Sequence, residues 1–296
     1  MCRPHGPYAK SQVARALDLA RGTLYLRRKQ ARKDKAVAVA IEEWHEQDDT
    51  MGHRKLAVLL CMGKNRVKRV MKKYGIAARR KKKRYVYPGK ASNVAPNLLR
   101  ESQKNVKNVT DVSSENSKNV TDVTDVFQST SEVVFSDIFE VSLVDRTKVR
   151  GCFALWKRTR HILSLAFDYS MRAELVVSTI QQMRFDVPGS IFHSDQGSQY
   201  GAEQTRAALL EKGFTRSMSR AGTPTDNGYA ERFVGLFKQA VAERRKYRTL
   251  GHFLKASENW INFYNHLRPH EGLGNCSPDQ FAADQGLPPA PYLPLL

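Results

Sequence analysis

Negative charge is what this sequence has least of. Its 296 residues hold 29 Asp and Glu against 49 Lys and Arg, a formal net charge of +20 at pH 7. The shortage is uneven: residues 1–100 contain 26 of the basic residues but only 7 of the acids, so they carry +19 and the remaining 196 residues +1. Such an imbalance fits a basic unit that attracts a polyanion, nucleic acid above all, joined to a nearly neutral unit. Cysteine is scarce too. Cys2, Cys61, Cys152 and Cys276 show no paired ligand spacing, which argues against a zinc site or a disulfide framework and for reduced thiols. Long apolar runs are missing: "LAVLLCM" falls far short of the roughly 20 residues that span a bilayer. "MCRPHGPYAK" has no apolar h-region of a signal peptide. The expected setting is the cytoplasm, at the nucleoid, with no membrane partner. A hydrophobic content of 41% is still enough to bury a sizeable core, divided over two or more units.

The basic half contains two helix-turn-helix patterns. In "SQVARALDLARGTLYLRRK", Val13, Ala14 and Leu17 share a helical face and Asp18 marks a turn. Leu19 and Leu24 then resume the apolar pattern, in a second helix expected to end at Arg27, Arg28 and Lys29. A small residue such as Ala14 allows a close helix crossing, and the second helix presents basic side chains to a major groove. The pattern returns in "HRKLAVLLCMGKNRVKRVMKKYGIAARRKKKR", with a break at Met62-Gly63 and a helix bearing Lys64, Arg66, Lys68 and Arg69. The tail holding Lys81, Lys82 and Lys83 reads as a phosphate-tracking segment or a solvated linker. The expected units are residues 1–35 and 36–95, the second including the tail.

Residues 96–131 differ in character: "KNVTDV" occurs at 107–112 and again at 118–123, and no aromatic residue precedes Phe127. Two copies of a short polar unit cannot stack into a solenoid, so a flexible repeat-containing linker is expected. Beyond Glu132 the pattern predicts strands in "VVFSDIFEVSLV", "RGCFALWKRT" and "RHILSLAFDYS", a helix in "AELVVSTIQQMRF", and a strand in "GSIFHSD". A helix, a short strand in "FTRSMSR" and a long helix from "NGYAERF" follow. This order predicts an α/β fold, a mixed sheet covered by helices.

On that layout three acids gain positions. Asp137 lies mid-strand, Asp195 at the C-terminal edge of the fourth strand, and Glu231 about one turn into the long helix. Taken singly each reads as a surface charge. Converging, they would suit Mg²⁺, a hard cation that takes oxygen ligands and keeps positions open for water and phosphate; two ions are expected, with Mn²⁺ as a substitute, since a pair can serve both the attacking and the leaving oxygen of a phosphodiester. Asp111, Asp122 and Asp125 also precede Asp195, but only Asp137 sits in a strand-like run, between Phe135 and Phe139.

"HSDQGSQY" and "TPTDNGYAERF", with Asp195 and Glu231 thirty-five residues apart, followed by "FYNHLRPHEGLGNCSPDQF", resemble the catalytic protein of IS-three family bacterial insertion sequences over roughly residues 133–281. The resemblance implies an RNase H-like integrase core of five mixed strands over 132–250, with a C-terminal helical segment over 251–296. It implies that Asp137, Asp195 and Glu231 are both catalytic and metal-binding, and that Lys238, seven positions after the Glu, is a DNA contact. The implied activity is metal-dependent cleavage at element ends and strand transfer by the freed 3′ hydroxyl. Expected partners are element ends and target DNA, further copies of the chain assembled on DNA, and an upstream frameshifted protein. Departures from the family pattern are Phe135-Ser136 where Trp often stands, "LWKRTRHI" in the second-strand region, and Ala240 in place of a second Glu. Alternatives are a plain RNase H-like nuclease and a silent DNA-binding regulator.

Nearby residues have simpler readings alongside. His193 either orients a metal ligand or packs as a buried polar group. Asn227 serves the turn before the long helix or aligns DNA, with Asp226 as N-terminal cap. Trp260, Phe263 and Tyr264 fall at helical spacing, as core residues do, leaving His266, Arg268 and His270 as candidate DNA contacts.

Overall fold

The computed structural model describes residues 9–79, 94–99, 132–183, 189–220, 223–287 and 289, and the chain divides into two compact units, Met1–Arg79 and Arg80–Leu296. Lys81, Lys82, Lys83 and both repeats lie outside the described residues, as do the side chains of Arg27 and Arg28.

The first unit is helical. α1 (Lys10–Ala16) buries Ala14, and the chain reverses through Asp18, held at φ 50°. α2 does not end at Lys29. It runs from Arg21 to Gln47, across the expected 35/36 boundary, so the two expected helix-turn-helix units share one helix. The reason is local: no Gly or Pro interrupts residues 23–47, and "KAVAVAIEEW" supplies a further apolar stripe. That stripe, Val37, Ala38 and Ile41, is buried together with Met51, Leu56, Val67 and Val70 from the segment that follows. α3 (His53–Leu59) and α4 (Lys64–Tyr74) meet at a turn with Cys61 at φ 48°, and α4 ends on Gly75 at φ 70°, where a glycine adopts the left-handed cap without strain.

α4 exposes Lys64, Arg66 and Lys68. Arg69, expected to face DNA, is committed to the fold: its two terminal nitrogens donate to Asp34 of α2 at 2.9 and 2.8 Å. Lys73 Nζ (2.9 Å) and Gln30 Nε2 (2.8 Å) complete the set around a fully buried carboxylate. Hydrogen bonds from Arg69 and Lys73 hold Asp34 well below the usual carboxylate range, despite its burial.

The second unit is a five-stranded sheet in the order β3-β2-β1-β4-β5. β1 (Val133–Ser142), β2 (Lys148–Trp156) and β3 (Ile162–Asp168) form an antiparallel meander, and β4 (Ile191–Ser194) and β5 (Thr215–Met218) join parallel to β1. This is the mixed five-stranded, helix-covered RNase H-like fold. On one face Val134, Cys152 and Phe192 pack with Leu175 and Ile180 of α5 (Ala173–Gln181), with Leu209 of α7 (Glu203–Glu211), and with Tyr200 of the short α6 (Ser198–Gly201).

The opposite face is aromatic. Phe139, Phe153 and Phe167 of the sheet meet Phe233 and Phe237 of α8 (Gly228–Phe237), which meet Phe253, Trp260 and Tyr264 of α9 (Leu250–His266). Each fully buried ring contributes about 2–3 kcal/mol by area, which explains why residues 251–287 are not a separate appendage but part of this unit. The layer is tight: a Cβ at Gly151 would lie 2.5 Å from Phe139 Cζ, so only glycine fits there. Trp260, Phe263 and Tyr264 are core residues, and so is Arg268, 1% exposed with its guanidinium over the Tyr264 ring. His266 is bonded to Asp279 of α10 (Pro278–Asp284).

The expected 95/96 boundary also shifts. Residues 94–98 lie along β5: Met218 N donates to Pro96 O at 3.3 Å, Leu98 N to Ser217 Oγ at 3.1 Å, and Ala95 is buried. No helix among the described residues is long and apolar enough to cross a membrane.

Candidate active site

Strand register brings the first two acids together. β1 and β4 pair in parallel with Val134 opposite Phe192 and Phe135 opposite His193. Two residues further along stand Asp137, still within β1, and Asp195, the first residue past the end of β4, near enough for the charge of one to act on the other. Glu231 lies in the first turn of α8. Asp137 feels both other carboxylates. Burial first, then the negative charges of Asp195 and Glu231, push it up to about 7, opposed by the Ile138 N–H at 2.8 Å and by Lys238. Asp195 is also raised by burial, against the Gly197 N–H that donates to its Oδ1 at 3.0 Å. This turn explains the glycine of "HSDQGSQY": a Cβ at Gly197 would sit 3.0 Å from the same oxygen.

His193 is packed between two serines, one in β5 and one in the residue just after it. It is fully buried, its Nδ1 is 2.9 Å from Ser217 Oγ and its Nε2 3.0 Å from Ser219 Oγ, and burial lowers it to about 4, leaving it neutral. Asn227 ties the entry to α8 onto β1: its Nδ2 donates to Ser136 O at 3.1 Å, while its buried Oδ1 has no hydrogen-bond partner among the described residues. Asp226 does not cap α8 by its side chain; its Oδ2 accepts from Asn97 Nδ2 at 2.8 Å and from Arg220 Nε at 3.3 Å. Lys238 opens a π-helical turn (Lys238–Ala242) at the end of α8, half-buried and close enough to act on Asp137.

Sequence reasoning missed two supports. Tyr200, the last residue of "HSDQGSQY", is buried behind β1 with its hydroxyl 2.8 Å from Ser136 Oγ, bracing the strand next to Asp137. Tyr229 stacks on Phe135 at 5.0 Å and carries the Arg160 guanidinium 4.0 Å above its other face. The motif tyrosines were the available signal; their partners are distant in sequence.

Among the described residues no three His, Cys, Asp or Glu side chains stand drawn together as a closed metal-ligand set. The donor chemistry nevertheless fits a hard divalent cation. All three side chains are carboxylates, and two are pushed upward by burial.

Two family models, each described as an integrase core domain, match residues 113–224 and 212–278, and together they take in Asp137, Asp195 and Glu231. An uncharacterized 31.7 kDa protein of insertion element IS407 from Burkholderia multivorans is 22% identical over 281 residues, 93% of this chain and 91% of that protein. The transposase of IS629 from Shigella sonnei is 30% identical over 120 residues, 40% of each chain. The transposase of IS904 from Lactococcus lactis is 36% identical over 95 residues, 32% of this chain and 38% of that one. The aligned part thus spans about two fifths of these two transposases. Among solved structures, the catalytic core domain of BIV integrase covers 53% of this chain and 96% of its own, at 18% identity and a TM-score of 0.41. The HTLV-2 integrase catalytic core in complex with magnesium covers 51% and 95%, at 12% identity and a TM-score of 0.41. An integrase-like core thus runs from β1 to the start of α10, and the chain is similar to proteins of bacterial insertion sequences, transposases among them.

Proposed function

We propose that this chain, of the IS-three branch, cleaves DNA at the ends of its element and joins the freed 3′ hydroxyl to a target. The observation that carries this reading is the grouping of Asp137 on β1, Asp195 just past the end of the parallel β4, and Glu231 in the first turn of α8, close enough that the charges of the other two act on Asp137. Asp137, Asp195 and Glu231 would hold Mg²⁺, two ions in this reading, which when bound polarise the phosphodiester and lower the pKa of an attacking oxygen. The protein's share is positioning. The Gly197 and Ile138 N–H groups fix one oxygen of Asp195 and Asp137 respectively. Asn227 ties the start of α8 to β1 at Ser136. Lys238, about two turns after Glu231 on the same side of the helix, would hold a phosphate beside the carboxylates. The exposed Lys64, Arg66 and Lys68 of α4 would seat the DNA, and copies of the chain would assemble on it.

The test is incubation of the purified chain with duplex carrying the element's terminal inverted repeats and Mg²⁺ or Mn²⁺. Nicked ends and joined products are expected. Cleavage without joining would make it a plain nuclease, and binding with neither a silent regulator. A variant probes the site itself. Gly197 has φ −62°, which alanine accepts, so Gly197→Ala should leave the thermal midpoint nearly unchanged. By crowding Asp195 Oδ1 it should weaken metal binding and cleavage roughly 10- to 100-fold. Wild-type affinity in a Mg²⁺ titration would show that the close approach is unimportant.

A further inference from the structure

The sequence places nearly all the surplus positive charge in the first hundred residues, yet the fold gathers a second cluster on the catalytic unit. After the π-helical turn comes one acid, Glu243, and the chain then runs Arg244, Arg245, Lys246, Tyr247, Arg248. Tyr247 turns inward: it is 9% exposed, its ring packs edge-on against Phe253 at 5.4 Å, and its hydroxyl donates to Val241 O at 3.1 Å. Its carbonyl accepts from Val144 N at 3.0 Å, which clamps this loop to the β1–β2 turn a hundred residues away. In that turn Arg146 is held at φ 68°, with Asp145 bonding Thr147 N (2.9 Å) and Oγ1 (2.8 Å) and Arg146 N bonding Leu143 O (3.1 Å). Arg146, Arg245, Lys246 and Arg248 are all exposed on this junction. None of the four forms an ion pair among the described residues, because Glu140 is taken by Lys148 and Arg150 and Asp145 by its own turn. Like charges packed on a rigid frame repel one another, and a polyanion relieves that repulsion.

We propose that this junction binds the phosphate backbone of target duplex DNA; the inference rests on the strand-transfer reading above. Three features select that occupant. The cations are Arg and Lys, whose phosphate contacts carry no sequence information, as a target of arbitrary sequence requires. The one aromatic residue of the loop is buried in the core, which leaves no platform for stacking unpaired bases, so a single strand gains little there. The location also fits: Lys238 acts on Asp137 and opens the turn that leads to the loop, and Asp137 and Val144 are seven residues apart on the β1 side. At about 3.3 Å per residue that is at most about 23 Å, within one turn of duplex, about 34 Å, from the carboxylates.

The experiment compares the full chain with its Arg245→Ala, Lys246→Ala, Arg248→Ala triple variant. Binding to a random-sequence duplex, the corresponding single strand and an element-end duplex is followed as salt rises. On the random duplex the log-log salt slope should become less negative by about two to three, at about 0.9 for each phosphate no longer neutralised, with the thermal midpoint unchanged. An unchanged slope overturns the proposal. An equal change on the single strand overturns the duplex assignment, and a change confined to element ends overturns the assignment to target. If the variant shows this slope change but the wild-type chain never joins DNA, the strand-transfer reading falls and the surface stands.

Discussion

An Asp137→Asn chain should fold and bind DNA yet give no nicked or joined product with Mg²⁺ or Mn²⁺, a loss of more than about 10³-fold, because metals and positioning supply most of the catalysis in this chemistry. The amide keeps the shape and the Oδ1 that accepts from Ile138 N, and removes only the charge. Asp125→Asn, outside the described residues, should be silent. A cleaving Asp137 variant, or a dead Asp125 variant, would place the first carboxylate elsewhere.

The same residue predicts a pH signature. Its folded pKa, about 7, lies above that of an unfolded carboxylate. A group raised in this way stabilises the fold while protonated, fully below about pH 4, and that stabilisation is lost as pH rises through about 7. In EDTA the thermal midpoint of the catalytic unit should therefore drift down across this window. Mg²⁺, which needs the ionised form, should raise the midpoint more at about pH 8 than at about pH 5. Asp137→Asn should flatten both effects; a variant with the wild-type profile would assign the titration to another group.

The second large effect concerns Arg69. Removing its guanidinium leaves Asp34 buried with Lys73 and Gln30 alone, and an undercompensated buried charge is strongly destabilising. Arg69→Met should lower the midpoint of the helical unit by more than about 5 °C and speed amide exchange along α4, whereas Lys68→Gln, at an exposed position, should do neither. Combining Arg69→Met with Asp34→Leu should recover much of the loss, because an apolar pair does not need the charge. If Arg69→Met keeps full stability and only DNA affinity falls, Arg69 is a DNA contact after all. The linkage has the opposite sign to that of Asp137: Asp34 lies below the usual range, so its contribution is present above about pH 4 and lost on acidification.

What the sequence determined by itself was whatever is local. Alternating apolar residues gave the strand around Asp137, and the order of strands and helices gave the mixed sheet. What only the tertiary structure decided involves partners far apart in the chain. Arg69 reads as one more cation on a recognition helix until α2 brings Asp34 against it, 35 residues away. His193 reads equally as a residue that orients a metal ligand or as a packed polar group until β5 and the residue after it bring Ser217 and Ser219 to its two nitrogens. The clamp between Val144 and Tyr247, which turns scattered cations into a surface, has no sequence signature either. The physical reason is the same each time: periodicity reports which face of an element is apolar, whereas the state and role of a polar side chain depend on what its fold brings within hydrogen-bonding distance.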